Sequence, residues 1–354
     1  MVTKPVVLFS LKYGDQPDYV GLYVPGPEEG EPTTISDFAI GTDGSIYIAD
    51  NVNKKVKKFS RDGKLLMMTE GDLEGIQAIT VDPKGRLFVC FYGDRGISNQ
   101  LAIYDKDGKR LSEDEKKVRE LFKGLTSKTP RVKKETLGYD IPRLSKIWCD
   151  SSGNIHFRGG NLFYEIDPKL SQIEFFENKF PYVNRKRYSY ELLRSNIRAE
   201  HFNCRPDGSI FSKYTIEILR PVEITIYNQD GSVGEKFILP RDGFGEIERL
   251  VPSGGGIHCC DQQGHFFMIR QPLKLYGLAL MEKNKTEVLV GASYAVCEYD
   301  EKGKFIGIRV LLNAFYMSSI HWIEVDPQGN IYYLDFKSDH VDVMMAPAPK
   351  VKRK

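Results

Sequence analysis

Six stretches of this chain repeat one phrase, and the repetition limits the fold more than any other feature. They read "SDFAIGTDGSIYIAD" (36–50), "QAITVDPKGRLFVCF" (77–91), "SKIWCDSSGNIHFRG" (145–159), "EHFNCRPDGSIFSKY" (200–214), "GIHCCDQQGHFFMIR" (256–270) and "HWIEVDPQGNIYYLD" (321–335). Aligned on the turn glycine, they place Gly44, Gly85, Gly153, Gly208, Gly264 and Gly329 at spacings of 41 to 68 residues. Two residues after each glycine stands Ile46, Leu87, Ile155, Ile210, Phe266 or Ile331, and four before it stands Ile40, Val81, Cys149, Cys204, Cys260 or Val325. An apolar run, a polar turn holding Asp, Pro and Gly, and a second apolar run make the pattern of a β-hairpin. Repeats of this period cannot bury their apolar faces alone and stack on their neighbours.

A second hairpin follows most of the first ones, as in "KVKKFSRDGKLLMM", "LAIYDKDGKRL" and "YAVCEYDEKGKFIGIRVL". Two hairpins make a four-stranded antiparallel unit, and six units predict an all-β, six-bladed β-propeller. The blades fall at about 36–70, 76–112, 144–178, 199–239, 256–311 and 319–346. The last unit has one further strand candidate, 340–346, while "VVLFSLK" at 6–12 has no partner of its own. An open sheet edge is an aggregation liability, so the strand within 5–12 is expected to join the last blade and close the ring. That makes 1–346 a single propeller domain, with 347–354 a disordered basic tail.

The first unit, "ISDFAIGTDGSIYIADNVNKKVKKFSRDGKLL", resembles an NHL repeat in its DG turn, its "IYIAD" strand, its Asn before a basic residue and its second DGK turn. The second unit keeps the Asn99 strand and its DG turn, and the third to fifth keep only the first turn. The resemblance implies a six-bladed propeller and a binding platform, in a family with some lactonase-like and lyase relatives. Lactonase-like propellers hold a divalent metal through Glu, Asn and Asp from different blades, and that set is not matched residue by residue in this chain.

Hydrophobic residues make up 41% of the chain and charged residues 28%, ordinary for a globular protein with a sizeable core. A net charge of +2 gives no bulk argument for nucleic acid. No segment approaches the ~18–20 apolar residues of a membrane span, so no membrane partner is expected. The apolar run after Met1 breaks at Lys12, too early for a signal peptide, which points to the cytoplasm or to an exported protein in processed form. The six cysteines form no CxxC, and three share one repeat position beside Ile and Val, which fits core filling.

The short connections are the turns within hairpins, and the long ones all fall in the other class: 13–35, 112–143, 179–198, 240–255 and 271–292. Elaborated loops therefore crowd one face, where binding groups concentrate on a rigid scaffold. Two of them, 112–143 and 179–198, are insertions on that face, and "SEDEKKVRELFKGL" at 112–125 predicts a short helix. The stretch 179–198 interleaves Tyr182, Arg185, Lys186, Arg187, Tyr188 and Tyr190, a mixture that can hold single-stranded nucleic acid or serve as a plain surface loop.

Candidates for the channel mouth are the polar residues at the outer ends of the first two strands of each unit. They are Asp37, Glu200, His201 and His321, with Gln77 and Lys146, and then Asp50, Arg158, Arg270 and Asp335. His258 joins them because it stands where the other units have Phe38, Ile79, Ile147, Phe202 and Ile323. No HExxH, GxSxG or P-loop context is present. The expected function is a non-catalytic, monomeric platform binding a protein or small-molecule ligand on the loop-rich face, with no cofactor. The alternative is a metal-dependent lactonase-like hydrolase or lyase in the central channel, using calcium or zinc. A second alternative is a single-stranded nucleic-acid binder acting through 179–198.

Overall fold

A computed structural model of the chain describes residues 4–24, 33–92, 99–128, 141, 144–150, 152–159, 162–176, 202–204, 210–214, 222–227, 233–239, 248–249, 257–260, 265–272, 293–300, 302, 304–313 and 323–349. From 202 to 272 the description is of strand backbones almost throughout. The fold is all-β and of the propeller type: small antiparallel sheets, mostly four-stranded, follow one another along the sequence.

Strand β1 (Val6–Lys12) precedes the first repeat unit. That unit forms the sheet β2 (Ile35–Ile40), β3 (Ile46–Asp50), β4 (Lys55–Phe59) and β5 (Leu65–Met68), paired in that order. The second unit gives β6 (Ile76–Val81), β7 (Leu87–Tyr92) and β8 (Asn99–Tyr104), followed by helix α1 (Ser112–Lys128). The third gives β9 (Leu144–Cys149), β10 (Ile155–Gly159), β11 (Leu162–Ile166) and β12 (Ile173–Phe176). The fourth gives β13 (Phe202–Cys204), β14 (Ile210–Tyr214), β15 (Val222–Tyr227) and β16 (Val233–Leu239). Next come β17 (Glu248–Arg249), β18 (Ile257–Cys260), β19 (Phe266–Pro272), β20 (Ser293–Tyr299) and β21 (Phe305–Asn313), with both β17 and β18 paired to β19. Last are β22 (Glu324–Val325), β23 (Ile331–Phe336) and β24 (His340–Ala346), and the sheet order there is β1-β24-β23-β22.

The repeat positions behave as two columns. Ile46, Leu87, Ile155 and Ile331 are fully buried, as expected of residues two after the glycine. The column four before it is a correction: Ile40, Val81, Cys149 and Val325 are only half-buried, because they end their strands at the turn. The buried position of the first strand lies two residues earlier, at Phe38, Ile79, Ile147 and Ile323. Among the described residues, each of these glycine turns is stapled by a carboxylate. Asp82, Asp150 and Asp326, three residues before the glycine, accept backbone N–H bonds of 2.8–3.0 Å from the residues two and four further on. In the first unit Gly41 holds that place, and Asp43 accepts from Ser45 instead.

The second unit departs from the expected two hairpins. Its sheet has three strands, because the chain after Gly108 makes one bridge, Tyr104 to Arg110, and then starts α1. The sequence "SEDE" explains this: three acidic residues in a first helical turn favour helix initiation. The exposed edge of β8 is still satisfied, since Leu111 N–H donates to Ile103 O at 2.7 Å and Glu115 Oε1 accepts Ile103 N–H at 3.1 Å. Val118 and Phe122 of α1 are fully buried in one cluster with Phe88, Ile103, Phe157 and Tyr164. Phe122 meets Phe157 and Tyr164 edge-on, with centroids 6.1 and 5.2 Å apart. Burying a ring of this size contributes roughly 1.5–3 kcal/mol.

Contacts divide the chain into two compact units. The first repeats, Leu8–Glu177 with Lys337–Val343, form one; Met1–Val7, Asn178–Phe336 and Met344–Lys354 form the other. In the former, Ala39, Tyr47, Leu73, Ile76, Leu87 and Tyr104 make a core between the first two sheets. In the latter, Phe267, Val296, Val310, Ile323, Ile331 and Tyr333 do the same.

Candidate functional site

The initial strands of the first three repeats, β2, β6 and β9, lie side by side within one unit, and each carries the same irregularity at the same count. In β2, Ile35 pairs with Asp50 and Asp37 with Ala49, so Ser36 is extra. In β6 the extra residue between Ile76 and Ala78 is Gln77. In β9 the register of Leu144 and Lys146 against Gly159 and Arg158 leaves Ser145 over. All three stand eight residues before their turn glycine, at the end of the sheet where the long connections enter. A β-bulge frees a residue from the ladder and re-aims the strand, and bulges are over-represented beside functional sites. Ser36 and Gln77 are half-buried, and their side chains make only long 3.4 Å bonds to Ala49 O and Gly75 O.

Two of the predicted carboxylates sit beside these bulges, fully committed to structure. Asp37 is buried; Oδ1 accepts Phe38 N–H at 2.9 Å and Oδ2 accepts Ile79 N–H at 2.7 Å, so it clamps β2 to β6. Asn51 Oδ1 accepts Ile76 N–H at 2.9 Å and completes the clamp. Between them they satisfy β6 N–H groups that a buried edge would otherwise leave unpaired.

Asp50 is the centre of a larger arrangement. It is fully buried and accepts from Gly21 N–H, Asn53 N–H, Asn53 Nδ2 at 2.8 Å and Lys57 Nζ at 2.8 Å. Lys57 also donates to Tyr19 O, Asn53 Nδ2 to Gly14 O at 2.9 Å, and Thr34 Oγ1 to Gly21 O at 2.5 Å. Asp50, Asn53 and Lys57 therefore tie the segment 13–23 down on the first sheet. Gly21 is required there, because a Cβ would lie 2.5 Å from Val52 Cβ.

The remaining predicted residues fall elsewhere. Asp335 is half-buried in β23, where burial pushes the Tyr333 hydroxyl upward and the Asp335 charge adds to it. Arg158 pairs with Lys146 and Phe163 in the ladder of the third sheet. His258 lies at a bulge of its own, between Ile257 and Cys259, and Arg270 pairs with Ala295 in β19. Glu200, His201 and His321 lie outside the described residues, as do Tyr182, Arg185, Lys186, Arg187, Tyr188 and Tyr190. By count, Glu200 and His321 stand eight before Gly208 and Gly329, the bulge position of the first three repeats. Among the described residues no three His, Cys, Asp or Glu side chains are grouped to hold a metal ion, and no helix is long and apolar enough to cross a membrane.

Sequence reasoning missed two polar clusters at the opposite, short-turn end. In the third sheet His156 is buried, stacked on Trp148 and hydrogen-bonded to Asp150 Oδ2 at 3.2 Å. In the other unit Glu298 accepts from Arg309 at 2.7 Å and meets His265 Nδ1 at 2.8 Å, while Arg309 reaches Gly329 O at 2.9 Å. For the first of them the available signal was a column, three after the glycine, reading Tyr47, Phe88, His156, Phe211, Phe267 and Tyr332. A single polar residue in an aromatic column marks the site.

No family model and no curated protein matches the chain. Solved structures do. It is similar to a gluconolactonase from Xanthomonas campestris at 14% identity over 90% of this chain and 86% of that one, with a TM-score of 0.45. It is also similar to virginiamycin B lyase from Staphylococcus aureus at 12% identity, over 96% and 99% of the two chains, with a TM-score of 0.47. A third is Kuenenia stuttgartiensis hydrazine synthase, 12% identical over 88% and 80%, at 0.45. At these identities and TM-scores below 0.5, no activity passes from them to this chain.

Proposed function

We propose that this chain is a six-bladed, NHL-like propeller that binds a small-molecule ligand or a partner protein on its loop-rich face, at the bulged ends of its first strands. The observation that supports this is the recurrence of one bulge at Ser36, Gln77 and Ser145, beside a loop stapled by Asp50 and Lys57. A rigid scaffold with polar residues released from the ladder is suited to recognition, and Asp37 and Asp50 have their oxygens spent on backbone and lysine donors. A fragment set screened by thermal shift tests the reading. Binding is expected to weaken at least tenfold in a Ser36→Ala/Gln77→Ala/Ser145→Ala variant and to persist in Lys106→Ala at the short-turn end; the reverse pattern would overturn it.

A second reading, a metal-dependent lactonase-like hydrolase or lyase in the central channel, is favoured by one feature. His258 stands at a bulge in the column that is elsewhere filled by Phe38, Ile79, Ile147 and Ile323. Elemental analysis of the purified protein separates the two. Stoichiometric calcium or zinc, lost in His258→Ala together with lactone hydrolysis, would replace the first reading with the second.

A further inference from the structure

The third sheet holds a buried histidine with a carboxylate at each ring nitrogen. His156 Nε2 lies 3.2 Å from Asp150 Oδ2, and Nδ1 lies 3.7 Å from Glu165 Oε2. His156 and Asp150 side chains are each 1% exposed, and Glu165 is 30% exposed. Asp150 already accepts Ser152 N–H, Asn154 N–H and Asn154 Nδ2, so it is an ionised acceptor and Nε2 carries a hydrogen toward it. In a neutral ring Nδ1 is then a bare lone pair facing a carboxylate oxygen, without a hydrogen-bond partner in a buried site. One added proton, on Nδ1 or on Glu165, turns this repulsive contact into an attractive one.

We propose that the facing pair His156 and Glu165 is a proton-binding site built into this blade, which braces the Asp150 turn and β10 against β11 when the proton is held and loosens them when it leaves. The pair shares one proton taken from solvent, so its occupancy is a property of both residues. The charged groups around it come from several elements: Asp150 from the turn, Glu165 from β11, Glu174 from the end of the same cross-strand row, and Asp82 and Arg86 acting on the turn from the second sheet. Burial pushes the Glu165 carboxyl above its usual range; His156 opposes this, and Asp150 and Glu174 add to it. An acid raised in the folded state is a cost while ionised, relieved as pH falls, the same direction as proton uptake by the pair.

Trp148 reports on the site, because its ring stacks on His156 at 5.6 Å and 10°. An imidazolium stacked on an indole quenches its fluorescence more than a neutral imidazole does. The chain has two tryptophans, and Trp148→Phe identifies the share of Trp148 in the emission. In the full chain, Trp148 emission is expected to fall sigmoidally as pH drops from 8 to 5 and the pair takes up its shared proton. Glu165→Gln should move that midpoint and remove the wild-type gain in Tm between pH 8 and pH 6, since a Gln amide can donate to Nδ1 at any pH. A Trp148 signal flat with pH, or a Glu165→Gln variant with the wild-type midpoint and Tm difference, would overturn the proposal. His156→Gln gives the independent check: loss of the transition supports the pair, its persistence rejects it. If His156→Gln fails to fold, the Glu165→Gln comparison alone decides.

Discussion

The first and third sheets each bury a charged cluster, and the two are built on opposite balances. In the first, one carboxylate, Asp50, faces a lysine and several N–H donors, so acceptors and donors match. In the third, two carboxylates share one imidazole, and a ring nitrogen is left facing the second of them. Matched charge serves as a staple, holding 13–23 in place. Unmatched charge makes structure depend on a proton. The two sheets share the repeat and the glycine turn, and differ in a few residues around it.

The strongest way to break the comparison is Asp50→Ala. It leaves Lys57 buried without its carboxylate and strips Gly21 and Asn53 of their acceptor, a change that typically costs about 3–5 kcal/mol. Denaturant unfolding should show that loss, and limited proteolysis should cut within 13–23 well before the wild-type chain is touched. A loss under 1 kcal/mol, with the segment still protected, would mean that the loop is held by something other than Asp50.

Next in size is Asp37→Ala. It removes the acceptor of Ile79 N–H and leaves a buried donor unpaired, at a cost of about 1–3 kcal/mol. Hydrogen exchange at Ile79 should speed up while that at Ile103, capped by Glu115, stays protected. Equal protection at Ile79 in variant and wild type would show that the clamp is dispensable.

These residues also show what a sequence can carry. The turn glycines, the strands around them and the helix after Ser112 were legible because each depends on local chemistry: backbone conformation, alternation and an acidic first turn. The roles of Asp37 and Asp50 were not, since they depend on N–H groups at Ile79 and Gly21, far along the chain, and no local pattern says which donors a carboxylate meets. The missing fourth strand of the second sheet was misread for the same reason. "KDGKRL" has good turn chemistry, and the helix that follows it decides the outcome. The bulges at Ser36, Gln77 and Ser145 are invisible to alternation, which counts residues but not their pairing.

A smaller effect lies in acid. Burial alone would raise the Asp150 carboxyl, but hydrogen bonds from His156 and Asn154 outweigh it and hold it below the usual carboxylate range. A depressed carboxyl contributes stability above its unfolded value and loses it as pH falls through its folded one. Melting temperature should therefore drop more steeply with acid in the wild type than in Asp150→Asn, below the ordinary range for aspartate. Parallel curves would remove Asp150 from the account.

The smallest expected effect sharpens the comparison most. His156→Phe places in the third sheet the kind of residue that Tyr47, Phe88, Phe267 and Tyr332 supply elsewhere in the same column. Asp150 loses one donor and keeps Ser152 N–H, Asn154 N–H and Asn154 Nδ2, so it stays solvated by the turn. The ring nitrogen facing Glu165 disappears with the imidazole, and that gain offsets the lost bond. A net change within about 1 kcal/mol at pH 8 follows, well short of the cost at Asp50. If His156→Phe instead costs as much as Asp50→Ala, the imidazole is matched after all, and the third sheet is a staple like the first.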